Sequence, residues 1–289
     1  MNILVTGANG QLGTMIREFS EWFPNYGWFF TDVDELDITN DAAINGFMAE
    51  NKINCIINCA AYTNVDKAEE NVELAKKVNS LAVEYLAMAA DLFNASLITI
   101  STDYVFDGTG FVPYSEEDYV RPIGVYGKTK LEGEQEALGF CDKSIVIRTA
   151  WLYSEFGNNF VKTMMRLGKE RNSINVVFDQ IGTPTYARDL AVVIMKFVNR
   201  IERGDNDVWG IYHFSNEGVC SWYDFAAEIM KICGLNCEVL PIKSEEYPTK
   251  AKRPHYSVLD KTKIKKVLDI KIPHWRESLE NCIQKMEGK

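Results

Sequence analysis

Short apolar runs alternate with helix-length amphipathic segments through the first half of the chain, and the first run feeds into a turn carrying three evenly spaced glycines. These two observations predict an α/β fold, a doubly wound parallel sheet of the Rossmann type with helices on both faces. Beyond Thr149 the chain moves between two layers, which adds a smaller C-terminal domain.

A length of 289 residues suffices for one large domain or two modest ones, each with a real core. Hydrophobic residues at 46% and charged residues at 25% are ordinary globular usage and leave no room for long disorder. A net charge of −10, from 31 basic and 41 acidic residues, argues against a nucleic-acid or anionic-membrane surface. A small anionic substrate stays open through local basic groups. The seven cysteines form no C-x-x-C pair, and His213, His255 and His274 are dispersed, so neither a disulfide framework nor a metal site is expected. The cysteines read as small buried hydrophobes in a reducing compartment. The longest uncharged run, Met1 to Ile16, holds three glycines with Asn2, Asn9 and Gln11, so it is neither a membrane span nor a signal peptide. A cytoplasmic location is the expectation.

Ile3, Leu4 and Val5 lack polar alternation, as in a parallel strand covered on both faces. Gly7, Gly10 and Gly13 follow, and a helix from Gln11 to about Trp22 would aim its free N–H groups and positive dipole end at an anion. The spacing G-x-x-G-x-x-G meets the dinucleotide fingerprint only approximately, so a glycine turn without a ligand is the alternative. A second strand, Trp28 to Thr31, ends at Asp32, about 20 residues past the last glycine, where an acid can accept from both ribose hydroxyls. An acid there also repels a 2′-phosphate and favours NAD over NADP.

A helix over Asp41 to Asn51 and a strand over Cys55 to Asn58 come next. The loop Cys59 to Thr63 then offers small residues on which a cofactor could lie, or which simply pack a strand end. Asp66 to Asp91 reads as one long amphipathic helix, with Val72, Ala75, Val78, Ala82, Leu86 and Ala89 as a core stripe. The fourth strand, Leu97 to Ile100, leads into the polar cluster Ser101 to Gly108, at the strand end where open α/β sheets bind ligands. Pro122 and Gly124 mark the start of a helix that carries Tyr126 and Lys130 on one face. An ammonium beside a phenol lowers a pKa that starts near about 10, by about 1–3 units for a close charge. That opens proton transfer near neutral pH; for a bare pair at this spacing, two solvated surface residues are the alternative.

The order of these features resembles the extended short-chain dehydrogenase/reductase family: Gly7-x-x-Gly10-x-x-Gly13, Thr102 after the fourth strand, and Tyr126-x-x-x-Lys130 on the following helix. Within it, STDYVFDG (101–108), VYGKTKLEGE (125–134), RTAWLY (148–153), NNFVKTMMRL (158–167) and DQIGTPT (179–185) resemble the dTDP-4-dehydrorhamnose reductases. The likeness weakens after about Asn216, where RPHYSVL (253–259) stands out.

The resemblance implies reduction of the C4 ketone of dTDP-4-dehydro-L-rhamnose by a nicotinamide cofactor, NADH first and NADPH as the second option. Tyr126 would donate the proton, Lys130 would hold the nicotinamide ribose and keep Tyr126 acidic, and Thr102 would hydrogen-bond the ketone. Gln11, Leu12, Asp32, Asp37, Ile38, Ala60, Ala61 and Thr63 match the family's cofactor contacts, beside Gly7, Gly10 and Gly13. No metal is called for. Asp103 joins Thr102 on the substrate side. Trp151 would meet the deoxysugar through a flat apolar face and one donor, or is a core tryptophan. Lys162, Arg166 and Arg253 are candidates for the diphosphate, with solvated charge as the alternative, and Arg253 is the one carried into the site.

The cofactor domain would comprise residues 1–150, with 174–178 and 187–216 returning to its sheet through strands at 174–178 and 210–214. Residues 151–173 and 217–289 would form the sugar-nucleotide domain. Ser221 with Asp224 reads as the N-terminus of a helix to Cys233. The expected partner is a nucleotide sugar, not a nucleic acid or a membrane, and monomer and homodimer both stay open. The alternatives are a 4-epimerase or 4,6-dehydratase on the same scaffold, or a catalytically silent regulatory relative. Intact Thr102, Tyr126 and Lys130 argue against silence. Dehydratases of this scaffold carry an Asp-Glu pair directly after the threonine, whereas Asp103 and Tyr104 stand here.

Overall fold

The computed structural model describes residues 1–288. Its first half is a β–α alternation: β1 (Asn2–Thr6), α1 (Gln11–Ser20), β2 (Gly27–Thr31), α2 (Asp41–Asn51) and β3 (Cys55–Asn58). Three short helical pieces follow, α3 (Val65–Ala68), α4 (Val72–Lys76) and a π-turn (Lys77–Leu81), before α5 (Ala82–Leu92). The half ends with β4 (Ser96–Thr102), a 3₁₀ turn (Asp103–Val105), α6 (Val125–Phe140) and β5 (Ser144–Thr149).

The second half contains β6 (Leu152–Tyr153), α7 (Phe160–Glu170), β7 (Ser173–Val177), β8 (Ile181–Gly182), β9 (Thr185–Tyr186) and α8 (Ala187–Glu202). It continues through β10 (Gly210–His213), β11 (Cys220–Ser221), α9 (Trp222–Ile232), β12 (Glu238–Ile242), α10 (Thr262–Leu268) and α11 (Trp275–Met286).

Six strands form the central sheet in the order β10-β5-β4-β3-β1-β2, and every neighbouring pair is parallel. The order reverses between β1 and β3, and open α/β sheets bind ligands outside the carboxyl ends of strands at such a switch point. Side-chain alternation along the strands divides the core. Ile3, Val5, Ile57 and Ile147 face α1 and α8, while Leu4, Ile56, Leu97 and Val146 face α2, α5 and α6. The first of these clusters continues into α9 and α11 through Phe225 and Trp275.

Two expectations need correction. The strand expected over 174–178 forms as β7, but it pairs with β12 outside the central sheet. Its burial alternates, Ile174 and Val176 in and Ser173 and Asn175 out, which marks a strand covered on one face only. The long helix expected over 66–91 is interrupted at Glu69–Asn71 and again by the π-turn. Asn71 leaves helical geometry and donates to Lys67 O, and Val72 is exposed rather than core. The N-terminus at Ser221 forms a capping box with Asp224, and α9 runs to Ile232. No helix among the described residues is long and apolar enough to cross a membrane.

Candidate active site

A cleft of about 910 Å³ runs along the carboxyl ends of the sheet strands. It opens where β1 turns into α1. Gly7 adopts φ +62°, and a Cβ there would stand 2.6 Å from Ala60 N, so only glycine lets the two loops approach this closely. Gly10 caps α1 without a side-chain bond, and no acid occupies the first turn, so the N-terminal N–H groups and the dipole stay available to an anion. An anionic dinucleotide fits that cradle. Gly13 lies outside the cleft wall; a Cβ there would meet Gly7 O and Ala8, so it seats α1 on the turn.

Asp32 follows the end of β2 and is fixed there. Its Oδ2 accepts from Asn9 N at 3.1 Å and its Oδ1 from Val33 N at 2.9 Å. Leu12, Ile38, Ala60, Ala61 and Thr63 line the same part of the wall. Two other residues there have occupied side chains. Asp37 accepts from Thr39 N and Oγ1, which holds its carboxyl below the usual range. Gln11 accepts from Ser154 and Asn159, tying the turn to the second half of the chain.

The opposite end carries Thr102, Asp103, Tyr126 and Lys130. β4 runs two residues past Ile100 and buries Ser101 and Thr102. The Thr102 hydroxyl donates to Asp103 Oδ1 at 3.0 Å and accepts from Tyr104 N. Burial pushes the Asp103 carboxyl up to about 6. At the start of α6, Val125 N donates to Glu69 Oε1 at 2.8 Å, a carboxylate supplied from α3's end in place of a local cap.

Lys130 is buried and donates to Ile100 O at 2.6 Å; desolvation lowers its ammonium to about 8, with Glu134 acting against the fall. The expectation that Lys130 lowers the Tyr126 phenol is therefore corrected. Burial pushes Tyr126 up to about 12, opposed by its hydrogen bond with Thr102, and the phenol is held in its protonated, donating form.

Trp151 lines the cleft, but its flat face is taken. Its indole stacks on Trp222 with ring centroids 3.6 Å apart and planes 12° from parallel. Its φ of +49° is strained for a tryptophan and is held by that packing. Arg253 is not on the cleft wall; its guanidinium donates to Asp66 Oδ2 at 2.7 Å. Lys162 and Arg166 line a separate hollow with Glu155 and Lys169.

Sequence reasoning missed Trp222, which opens α9 far along the chain, and Lys77 and Val78, which reach the wall from the π-turn. For Trp222 the sequence carries no signal of proximity; Val78 was read as core. No group of three or more potential metal ligands gathers among the described residues.

The family model described as the RmlD substrate binding domain matches residues 1–287. A curated dTDP-4-dehydrorhamnose reductase of Aggregatibacter actinomycetemcomitans is 45% identical over 285 residues, covering 96% of this chain and 97% of the relative. The crystal structure of a dTDP-4-dehydrorhamnose reductase from Clostridium acetobutylicum matches with a TM-score of 0.94 at 46% identity, over 99% of this chain and 100% of that one. A Bacillus anthracis reductase solved in complex with NADP matches with a TM-score of 0.93 at 41% identity, over 98% and 99% of the two chains. Similarity of this depth along the full cleft-bearing length means that the chain belongs to the RmlD family, that of the dTDP-4-dehydrorhamnose reductases.

Proposed function

We propose that this protein reduces the C4 ketone of dTDP-4-dehydro-L-rhamnose to dTDP-L-rhamnose with a reduced nicotinamide cofactor. One observation carries the reading: Thr102, Tyr126 and Lys130 share a single cleft with the Gly7–Gly10 cradle and Asp32. The dinucleotide would lie with its diphosphate at the α1 N-terminus and its adenosine ribose at Asp32. When bound it supplies the hydride. Thr102 orients the ketone oxygen by turning its hydroxyl proton from Asp103 Oδ1 to the ketone, and Tyr126 gives its proton to that oxygen as negative charge develops there. Lys130 holds the nicotinamide ribose hydroxyls beside the protonated Tyr126 phenol.

Residues 1–150 and 187–216 would hold the cofactor, and 151–173 with 217–289 the sugar nucleotide. On the substrate side, Asp103 accepts from a sugar hydroxyl, and Trp151 presents the edge of its indole. Arg253 reaches the diphosphate only by leaving Asp66. NADH is accepted at least as well as NADPH, since the fixed Asp32 carboxylate would meet a 2′-phosphate with like charge. Burial raises the Tyr104 phenol above its ordinary value, so the position after Asp103 offers no base for dehydration. The test is incubation with NADH or NADPH and a panel of 4-keto nucleotide sugars, following absorbance loss and product stereochemistry. Reduction confined to another keto sugar, or conversion of dTDP-glucose to a 4-keto-6-deoxy sugar, would contradict the proposal.

A further inference from the structure

Beneath the cleft lies a buried row of polar side chains that the reduction itself does not use. Ser101, Arg148 and His213 stand in register on β4, β5 and β10. Glu134 of α6 lies against this row and is 2% exposed. It accepts from the Ser101 hydroxyl and from Arg148, whose Nη2 donates to Oε2 at 2.7 Å and whose Nε donates at 2.9 and 3.1 Å. Arg148 also lies over the Phe106 ring and reaches His213 Nε2 at 3.4 Å. Burial and Arg148 together push His213 down to about 3, so it adds no charge.

A buried ion pair is poor at stabilising a fold, because well-packed apolar residues of similar volume often do as well or better. Its position is more telling. Glu134 sits one helical turn beyond Lys130, and both side chains hold the end of β4: Lys130 through Ile100 O, Glu134 through Ser101. Thr102 is the next residue. The titratable or charged groups around this stretch are Arg148 from β5, Asp103 and Tyr104 from the turn after β4, Tyr126 of α6 itself and Lys77 from the π-turn. Among them Glu134 is the carboxylate that holds the Lys130 ammonium up against desolvation.

We propose that Glu134, clamped by Ser101 and Arg148, is a positioning residue for the reduction, holding the Lys130 ammonium and the α6–β4 spacing on which Thr102, Tyr126 and Lys130 depend. The inference rests on the reductase reading, and its test separates the two. In ligand-free protein the titration of Lys130 is followed by NMR of labelled lysine side chains, with Lys130→Met identifying the signal. In parallel, the alkaline limb of kcat/KM is measured with the ketone. Glu134→Gln is expected to move both to lower pH by about one unit, as removal of a close opposite charge does, and Glu134→Asp to restore much of the shift. Where Glu134→Gln alone does not fold, the exchange E134Q/R148M replaces the pair by neutral groups of similar volume, and a shift in the same direction but smaller is expected, because the cation is removed with the anion. An unmoved Lys130 titration in a folded variant, accompanied only by a lower Tm, would overturn the proposal. A wild-type protein that leaves the ketone untouched would instead overturn the reductase reading, whatever the NMR titration gives.

Discussion

Removing a single oxygen at Tyr126 separates acid from scaffold. Tyr126→Phe keeps the ring and its edge-to-face contact with Tyr104, so cofactor binding should persist, while kcat falls by about a hundred- to ten-thousand-fold as a general acid is lost. Near-wild-type turnover would remove Tyr126 from the chemistry. Asp103 offers a test through pH. Its carboxyl titrates near 6 in the fold and near about 3.9 unfolded. Between those values the folded state holds more protons, so its stability declines as pH rises through the window. Asp103→Asn carries no charge and should gain about 2–3 kcal/mol on wild type between pH 4 and pH 7, read from urea midpoints; parallel pH profiles would show that the carboxyl is not buried as described. At Asp32, alanine removes the like charge facing a 2′-phosphate, so the ratio of NADPH to NADH use should rise. A strong NADPH preference in wild type that persists in Asp32→Ala would mean that the acid is not at the ribose.

The helices and strands that carry these residues were largely legible, because both-face burial writes continuous apolar runs such as Ile3–Val5 and because Asn, Ser and Gly punctuate them. The bounds of α2 and β3 agree with the sequence reading to the residue. The interruptions between α3 and α5 were not legible, since small apolar residues at spacings of three and four fit α and π geometry alike. That irregular stretch has a use at the site, as π-turns often do. Asn79 in the π-turn accepts from Tyr62 N at 2.8 Å, donates back to Tyr62 O, and donates to Thr129 of α6. It thus ties the cofactor-side loop 59–63 to the helix bearing Tyr126 and Lys130. Asn79→Ala leaves buried partners unsatisfied and should cost about 1–3 kcal/mol, with weaker cofactor binding measured by fluorescence titration; unchanged affinity would make the tie merely structural. Trp151 and Arg253 were legible as types but not as placements, because the Trp222 stack and the Asp66 ion pair join positions distant in sequence.

Across the whole molecule, one cleft joins the β1–α1 turn, where the dinucleotide would lie, to the end at β4 and α6 from which Tyr126 would give its proton. Residues from 7 to 222 line it, so the two ends form a working unit only if both ligands are held at once. Net reduction and redox-neutral epimerisation differ in the fate of the hydride. The most direct measurement supplies NADH or NADPH deuterated at the transferable position of nicotinamide C4, with dTDP-4-dehydro-L-rhamnose, and determines cofactor consumed and deuterium position by mass spectrometry and NMR. One equivalent of cofactor is expected to be oxidised per dTDP-L-rhamnose formed, with the deuterium at sugar C4. Interconversion of UDP-glucose and UDP-galactose without added cofactor, or product formed with no deuterium at C4, would contradict it.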